Sequence, residues 1–346
     1  MAEPIIEVVN LNKQFEVKAK NASWFRKPAP VKVLSDISFT LNEGETLSIV
    51  GESGCGKTTL GRCIVRGMSA TSGKVMYYPE EGEPTDFLQA QGPQFKKLRK
   101  DIQMIFQDPY SSLSPRMSVY DIIAEPLIAN FKLSKSELDD KVEAIAEKTG
   151  LNVSFLKRYP HAFSGGQRQR IAIARALISN PRLIVCDEAV SALDVSIQAQ
   201  IINLLKDLQE QLQITYIFIS HDLSIVRNIS DRVAVMHLGR IVELAPAELM
   251  FKEPKHPYTE ALMSAVPQPD PDAKMKRIIL EGEVPNPANP PSGCHFHPRC
   301  PYRTDKCKSE SPQLREVADS HYAACHYAEE LQLKGVQTIA AAEGHP

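Results

Sequence analysis

The sequence has no run of about 18 uninterrupted apolar residues, so no segment reads as a membrane-spanning helix. It has no excess of either charge. Lys plus Arg number 40 and Asp plus Glu 42, a formal net charge of −2, whereas nucleic-acid binders tend to be strongly basic; no nucleic-acid partner is expected. Met1 to Asn10 carries acids and lacks a basic stretch followed by an apolar one, so it does not read as a secretory signal. The chain is therefore expected in the cytosol, where seven cysteines read as thiols or metal ligands before disulfides. No long-period repeat is visible.

What is there is ordinary globular stock: 43% apolar and 24% charged residues exclude a disordered or collagen-like chain. A length of 346 residues suits one large domain with an appendage, or two domains. Ile5–Val9, Val31–Ile37 and Leu47–Val50 read as strands, with a polar loop at Lys18–Pro30. A helix is expected from Lys57, with Leu60, Ile64, Val65 and Met68 at helical spacing. Residues 70–105 read as a second β region and 115–160 as helical. Within the latter, Ser134 and Glu137 form a capping-box pattern. A helix after Ser164 closes at Pro181; Leu183–Cys186 is a buried strand, Ile197–Leu212 an amphipathic helix, Ile214–Ser220 a strand. Arg232–Glu243 reads as a hairpin turning at Gly239. Alternating short strands and helices predict a parallel α/β sheet. Residues 251–312 hold 12 of the 25 prolines, too many for long helices or central strands, and read as a loop-rich appendage.

Gly51-Glu52-Ser53-Gly54-Cys55-Gly56-Lys57-Thr58-Thr59 matches G-x-x-x-x-G-K-[ST] between a strand and a helix. The glycines turn backbone N–H groups inward around phosphates, and the helix N-terminus adds positive partial charge. Lys57 is expected on the β- and γ-phosphates and Thr58 on Mg²⁺. Asp187-Glu188 ends a buried strand, where the first carboxylate holds Mg²⁺ and the second can polarise the attacking water.

Phe163-Ser164-Gly165-Gly166-Gln167, upstream of that acidic pair, resembles the signature of ABC-type ATPases. The other marks of the family follow: Gln107 resembles its Q-loop, Ser191-Ala192-Leu193-Asp194 its D-loop and His221 its switch histidine. Phe15 is the candidate for stacking on adenine. A solitary His or Gln is usually structural; the ordered set carries the argument. The resemblance covers residues 5–250 and implies a P-loop ATPase of parallel-sheet core, antiparallel β subdomain and helical signature subdomain. It also implies that Ser164, Gly165, Gly166 and Gln167 close on a partner's ATP, with Glu188, His221, Lys57 and Gln107 catalytic and Thr58, Gln107 and Asp187 around Mg²⁺. Phe163 stands where Leu is commoner, and Ala189-Val190 where many members have Pro-Thr; neither removes a catalytic group.

His256-Pro257-Tyr258-Thr259-Glu260-Ala261-Leu262, Val266-Pro267, Leu280–Pro285 and Gly293-Cys294 resemble the C-terminal region of oligopeptide/dipeptide importer ATPases. The Lys18–Pro30 loop resembles that of the second ATPase subunit of the pair. The resemblance implies residues 1–250 as ATPase domain and 251–346 as appended region. It implies a homologous second ATPase, two permease subunits, an extracytoplasmic binding protein and a peripheral place on the cytoplasmic face of the inner membrane. Relatives that carry nickel, glutathione or oligosaccharide leave the substrate open. A soluble ATPase of DNA repair or translation fits less well. Residues 108–160 lack the heptads of a long coiled coil, and the chain has one phosphate loop. An inactive regulatory half is a third reading. Cys294, Cys300, Cys307 and Cys325 match neither zinc-ribbon nor ferredoxin spacing. The subfamily resemblance implies a [4Fe–4S] cluster on them, with zinc or free thiols as alternatives. Cys55, Cys63 and Cys186 read as small buried residues.

Overall fold

The computed structural model describes residues 3–17, 29–266, 278–282 and 285–336. Residues 18–28 of the expected polar loop lie outside these, as do Pro267, Glu283 and Val284 of the C-terminal marks. The chain runs through β1 (Pro4–Val17), β2 (Ala29–Asn42), β3 (Thr46–Val50), α1 (Lys57–Ile64), β4 (Ser72–Tyr77), β5 (Thr85–Asp86), α2 (Gly92–Arg99) and β6 (Ile102–Ile105). A helical stretch follows: α3 (Pro109–Ser112), α4 (Val119–Asn130), α5 (Lys135–Lys148) and α6 (Gly165–Leu177). Then come β7 (Leu183–Asp187), α7 (Val195–Leu212), β8 (Thr215–Ile219), α8 (Leu223–Ile229), β9 (Arg232–His237) and β10 (Arg240–Pro246). The C-terminal part holds α9 (Ala247–Lys252), α10 (Pro257–Met263), α11 (Asp305–Ser309), β11 (Arg315–Ala318) and β12 (His321–Ala323).

An eight-stranded sheet has the order β11-β12-β10-β9-β3-β8-β7-β6. Its centre, β9-β3-β8-β7-β6, is parallel. β3, β7 and β8 are buried along their whole length, as parallel strands covered on both faces must be. A four-stranded antiparallel sheet, β2-β1-β4-β5, packs its apolar face, including Ile5, Leu11, Leu34 and Val75, against β3 and α1. On the other face α4, α5, α6 and α7 enclose a second core around Ile123, Val142, Ile171, Leu205 and Phe218. The parallel α/β core, antiparallel β subdomain and helical subdomain expected from the sequence are all present.

The β9–β10 hairpin turns at Leu238-Gly239, both at positive φ (44° and 76°), as a two-residue hairpin requires. A Cβ at Gly239 would lie 2.3 Å from the Val33 carbonyl oxygen, so the turn also needs glycine for close approach.

Two expectations change. Residues 70–105 are not purely β, because α2 occupies Gly92–Arg99. Only Leu98 of that helix is buried, so no apolar stripe marks it in the sequence. The proline-rich C-terminal stretch is also less isolated than its composition suggests. Its helices are short, but β12 pairs with β10 and extends the main sheet. Its apolar residues, Tyr258, Met263 and Phe296, join a third core with Val50, Val233 and Val235.

The capping box at α5 is formed: the Ser134 N–H donates to the Glu137 carboxylate (2.8 Å) and the Glu137 N–H to the Ser134 hydroxyl (3.3 Å). Ser134→Ala is expected to cost about 1 kcal/mol of stability in denaturant unfolding. No change in the midpoint would mean that this end is held by packing alone.

Candidate active site

β3, β8, β7 and β6 are consecutive neighbours and parallel. Their carboxyl ends therefore lie side by side, at the edge where open α/β sheets bind ligands. Gly51 follows β3, His221 lies just beyond β8, Glu188 follows β7 and Gln107 lies just beyond β6. Four motifs far apart in sequence are thus delivered to one edge by strand order alone.

The 51–58 loop leaves β3 and enters α1 through Gly56, whose φ of 107° is disallowed for most L side chains. The Gly51 Cα sits so close to β9 that a Cβ would lie 2.2 Å from the Met236 carbonyl oxygen. Lys57 is buried, and its Nζ donates to the carbonyls of Gly51 (2.7 Å) and Glu52 (3.1 Å). The ammonium is held inside its own loop at the mouth of α1. Thr59 lies in the first turn of that helix.

The Thr58 hydroxyl donates to Asp187 Oδ1 at 2.9 Å. Asp187 is 1% exposed, and burial pushes its carboxyl above the usual range against the Thr58 hydrogen bond that lowers it. A hydroxyl and a desolvated carboxylate side by side are hard oxygen donors suited to Mg²⁺.

Glu188 adopts φ 48°, a strained value for a non-glycine residue. Its N–H donates to the Ile219 carbonyl of β8, and its own carbonyl accepts from the Ser191 N–H and hydroxyl. Its Oε2 accepts from Gln107 Nε2 at 2.8 Å and lies 3.4 Å from His221 Nδ1. The structure therefore brings Gln107, Glu188 and His221 together, beside the Thr58–Asp187 pair.

The other expected residues lie further out. Ser164 caps α6 in a box with Gln167: Ser164 N–H to Gln167 Oε1 is 3.1 Å and the return bond is 3.4 Å. Among the described residues the hydrogen bonds of this pair stay within their own turn. Gly165 and Gly166 begin the helix, and a Cβ at Gly166 would meet the Ile197 side chain at 2.5 Å. Small residues there let α7 approach the start of α6. Asp194 caps α7 by accepting from the Ile197 N–H at 3.0 Å. Phe15 pairs with Val31 across β1 and β2, with the Lys13 ammonium 4.9 Å from its ring centroid. The same β2 strand passes Gly56 at Val33.

Cys55, Cys63 and Cys186 are buried, and burial pushes their thiols up, the Cys63 thiol to about 11. They are small buried residues of the core. Cys294, Cys300, Cys307 and Cys325 line one pocket with His297, His326 and Tyr327. Burial pushes Cys300 to about 11 and Cys325 to about 12, and the neighbouring thiols add to the rise at Cys325. Among the described residues no three His, Cys, Asp or Glu side chains meet at a single-ion position.

Sequence reasoning missed two residues that touch the phosphate loop. The Tyr258 hydroxyl accepts from the Glu52 N–H at 2.8 Å, and Arg299 forks onto the Glu52 carboxylate at 2.8 and 3.0 Å. Tyr258 stands in a stretch that marks the subfamily, but nothing there reveals its contact; Arg299 carries no signal in the sequence.

Comparison with known proteins bears on these arrangements. Residues 34–191 match the family model described as "ABC transporter", and residues 242–307 that described as "Oligopeptide/dipeptide transporter, C-terminal region". The oligopeptide transport ATP-binding protein AppF of Bacillus subtilis is 49% identical over 94% of this chain and 97% of its own. The di/tripeptide transport ATP-binding protein DppF of Pseudomonas aeruginosa is 47% identical over 95% of this chain and 99% of its own. Among solved structures, cbiO1 of Clostridium perfringens, part of an ABC transporter complex, aligns with a TM-score of 0.59 at 28% identity, over 72% of this chain and 91% of that one. A dimeric ATP-binding cassette with bound ADP and phosphate aligns equally well, at 27% identity, over 70% of this chain and 98% of that one.

Proposed function

The chain belongs to the ABC transporter family of ATP-binding proteins, and from that premise we propose that it is the ATP-hydrolysing subunit of an importer of di- or oligopeptides. The observation that carries the ATPase reading is the meeting of Gln107, Glu188 and His221 next to Thr58–Asp187 at the mouth of the phosphate loop. The peptide reading rests on the relatives' transport names and on the match of the C-terminal region.

In the proposed reaction the N–H groups of Ser53 to Thr59 cradle the phosphates, and Lys57 exchanges its loop carbonyls for phosphate oxygens. Thr58 and Asp187 would hold Mg²⁺, aided by Gln107; the metal ion neutralises charge on the phosphates when bound. Glu188 orients the attacking water and draws on its proton. His221, 59% exposed and beside Glu188, contacts the γ-phosphate. Phe15 stacks on the base. Ser164, Gly165, Gly166 and Gln167 form an anion site at the start of α6 that closes on the nucleotide of a homologous partner, with Asp194 at the seam. ATP then joins two such subunits beneath two permeases, and hydrolysis parts them. An extracytoplasmic binding protein would deliver the peptide.

Residues 1–250 are the ATPase unit in this reading, and 251–346 an appended region stitched to it through β12. The subunit is peripheral on the cytoplasmic face of the inner membrane. Among the described residues no helix is long and apolar enough to cross a membrane. The four thiols of the appended region would ligate a [4Fe–4S] cluster. Four soft thiol donors lining one pocket are the donor set such a cluster takes, one thiolate per iron, and zinc, the alternative, would draw the same sulfurs to about 2.3 Å from one point.

The test is uptake of labelled peptides, nickel and oligosaccharide in cells lacking this chain. Peptide uptake is expected to vanish and to return with the wild-type chain. Loss of nickel or sugar uptake alone would redirect the substrate, and ribosomes or DNA recovered with the tagged chain in place of permeases would sink the transport reading.

A further inference from the structure

We propose that Arg299 and Tyr258, both in the C-terminal region, are positioning residues of the nucleotide site that act through Glu52 of the phosphate loop. Tyr258 is fully buried, wedged between His237 and Phe296 with ring centroids 4.5 and 5.4 Å away. Its hydroxyl accepts from the Glu52 N–H at 2.8 Å, so this loop amide is committed to the appended region rather than to a phosphate. The guanidinium of Arg299, only 7% exposed, donates two bonds to the Glu52 carboxylate, 2.8 Å to Oε2 and 3.0 Å to Oε1. Such a fork fixes both the position and the plane of the carboxylate. Pro285, Asn286 and Pro287 line a further pocket with Glu52, Ser53, Gly54 and Cys55, so the same region also walls this side of the loop.

The chemistry explains why the contact matters. Glu52 sits between Gly51 and the N–H donors that would hold a triphosphate. An unpaired carboxylate there repels the ligand, and in a partly dry site the repulsion is weakly screened. Arg299 cancels that charge, and together with Tyr258 it holds the loop open in the shape that the phosphates need. Binding is then assisted by pre-organisation rather than by a new contact to the ligand. Because Arg299 immediately precedes Cys300, the four-thiol segment and the phosphate loop share one rigid joint.

The inference rests on reading residues 51–58 as the nucleotide loop, and Lys57→Ala tests that reading separately. The measurement is the affinity of the purified full-length chain for Mg-ATP by calorimetry. Arg299→Ala is expected to weaken ATP binding about tenfold, Arg299→Lys and Tyr258→Phe less. Adding Glu52→Gln to Arg299→Ala should recover most of the loss, because it removes the uncompensated charge; a merely structural role for Arg299 would show no such rescue. Unchanged ATP affinity in a folded Arg299→Ala chain, or loss without rescue, overturns the proposal. If Arg299→Ala does not fold, unchanged affinity in both Arg299→Lys and Tyr258→Phe does the same. If Lys57→Ala also leaves ATP affinity unaltered, the nucleotide-loop reading itself is wrong.

Discussion

Glu188→Gln is expected to lower ATP turnover of the assembled complex by about 10²–10⁴-fold while ATP stays bound. The substitution is nearly isosteric, and both residues carry a Cβ, so the φ of 48° is no harder to hold than before. The Gln107 contact at 2.8 Å keeps an oxygen acceptor. What is lost is the negative charge 3.4 Å from His221 Nδ1, and with it the group that can draw a proton from water. Lys57, Thr58 and Asp187 are untouched, so phosphate binding should survive. Phosphate release and nucleotide retention after gel filtration measure the two effects. Turnover of the whole complex that does not change would mean that this chain's site hydrolyses nothing and that the chain is a regulatory half.

Sequence patterns revealed most of this site because its residues announce themselves locally. The 51–58 loop needs glycine where φ is positive at Gly51, Gly54 and Gly56, and those glycines stand in the sequence. β3, β7 and β8 are short, mostly apolar stretches, buried along their whole length, that stop at Gly51, Glu188 and Ser220-His221. The spatial meeting of Gln107 with Glu188, 81 residues apart, follows only from strand order, and there the family resemblance supplied what local patterns do not. α2 escaped because six exposed or half-exposed side chains and one buried leucine make no stripe. β11 and β12, four and three residues long, fall below any alternation window and exist because β10 offers them an edge. Arg299 and Glu52, 247 residues apart, have no pattern to share. A part-buried pair of that kind is a tertiary fact, set by how the appended region packs on β9.

If the four thiols hold the cluster proposed above, Cys325→Ser is expected to abolish iron and sulfide binding and to loosen residues 291–336 while the ATPase core stays folded. The binding free energy of a structural metal centre is on the order of 10 kcal/mol, far above what the small apolar content of this segment supplies. Its own buried apolar side chains are few: Phe296, Cys307, Ala323, Ala324, Ala328 and Val336. Burial raises the thiols of Cys294, Cys300 and Cys325, the last to about 12, so thiolates gather there only where a cationic centre compensates them. A serine hydroxyl in place of one thiolate is a poor soft-metal ligand. Two anchors do not depend on the thiols: the fully buried His321–Glu243 contact at 2.7 Å and the Arg299–Glu52 fork. Loosening should therefore appear as faster proteolysis within 291–336 and not as global unfolding. Anaerobically purified wild-type protein should be brown and should lose that colour on Cys325→Ser, whereas Cys63→Ser, deep in the nucleotide core, should keep it. A colourless wild-type protein with stoichiometric zinc would replace the cluster by zinc, and one with no metal at all would leave four packed thiols whose substitution barely changes proteolysis.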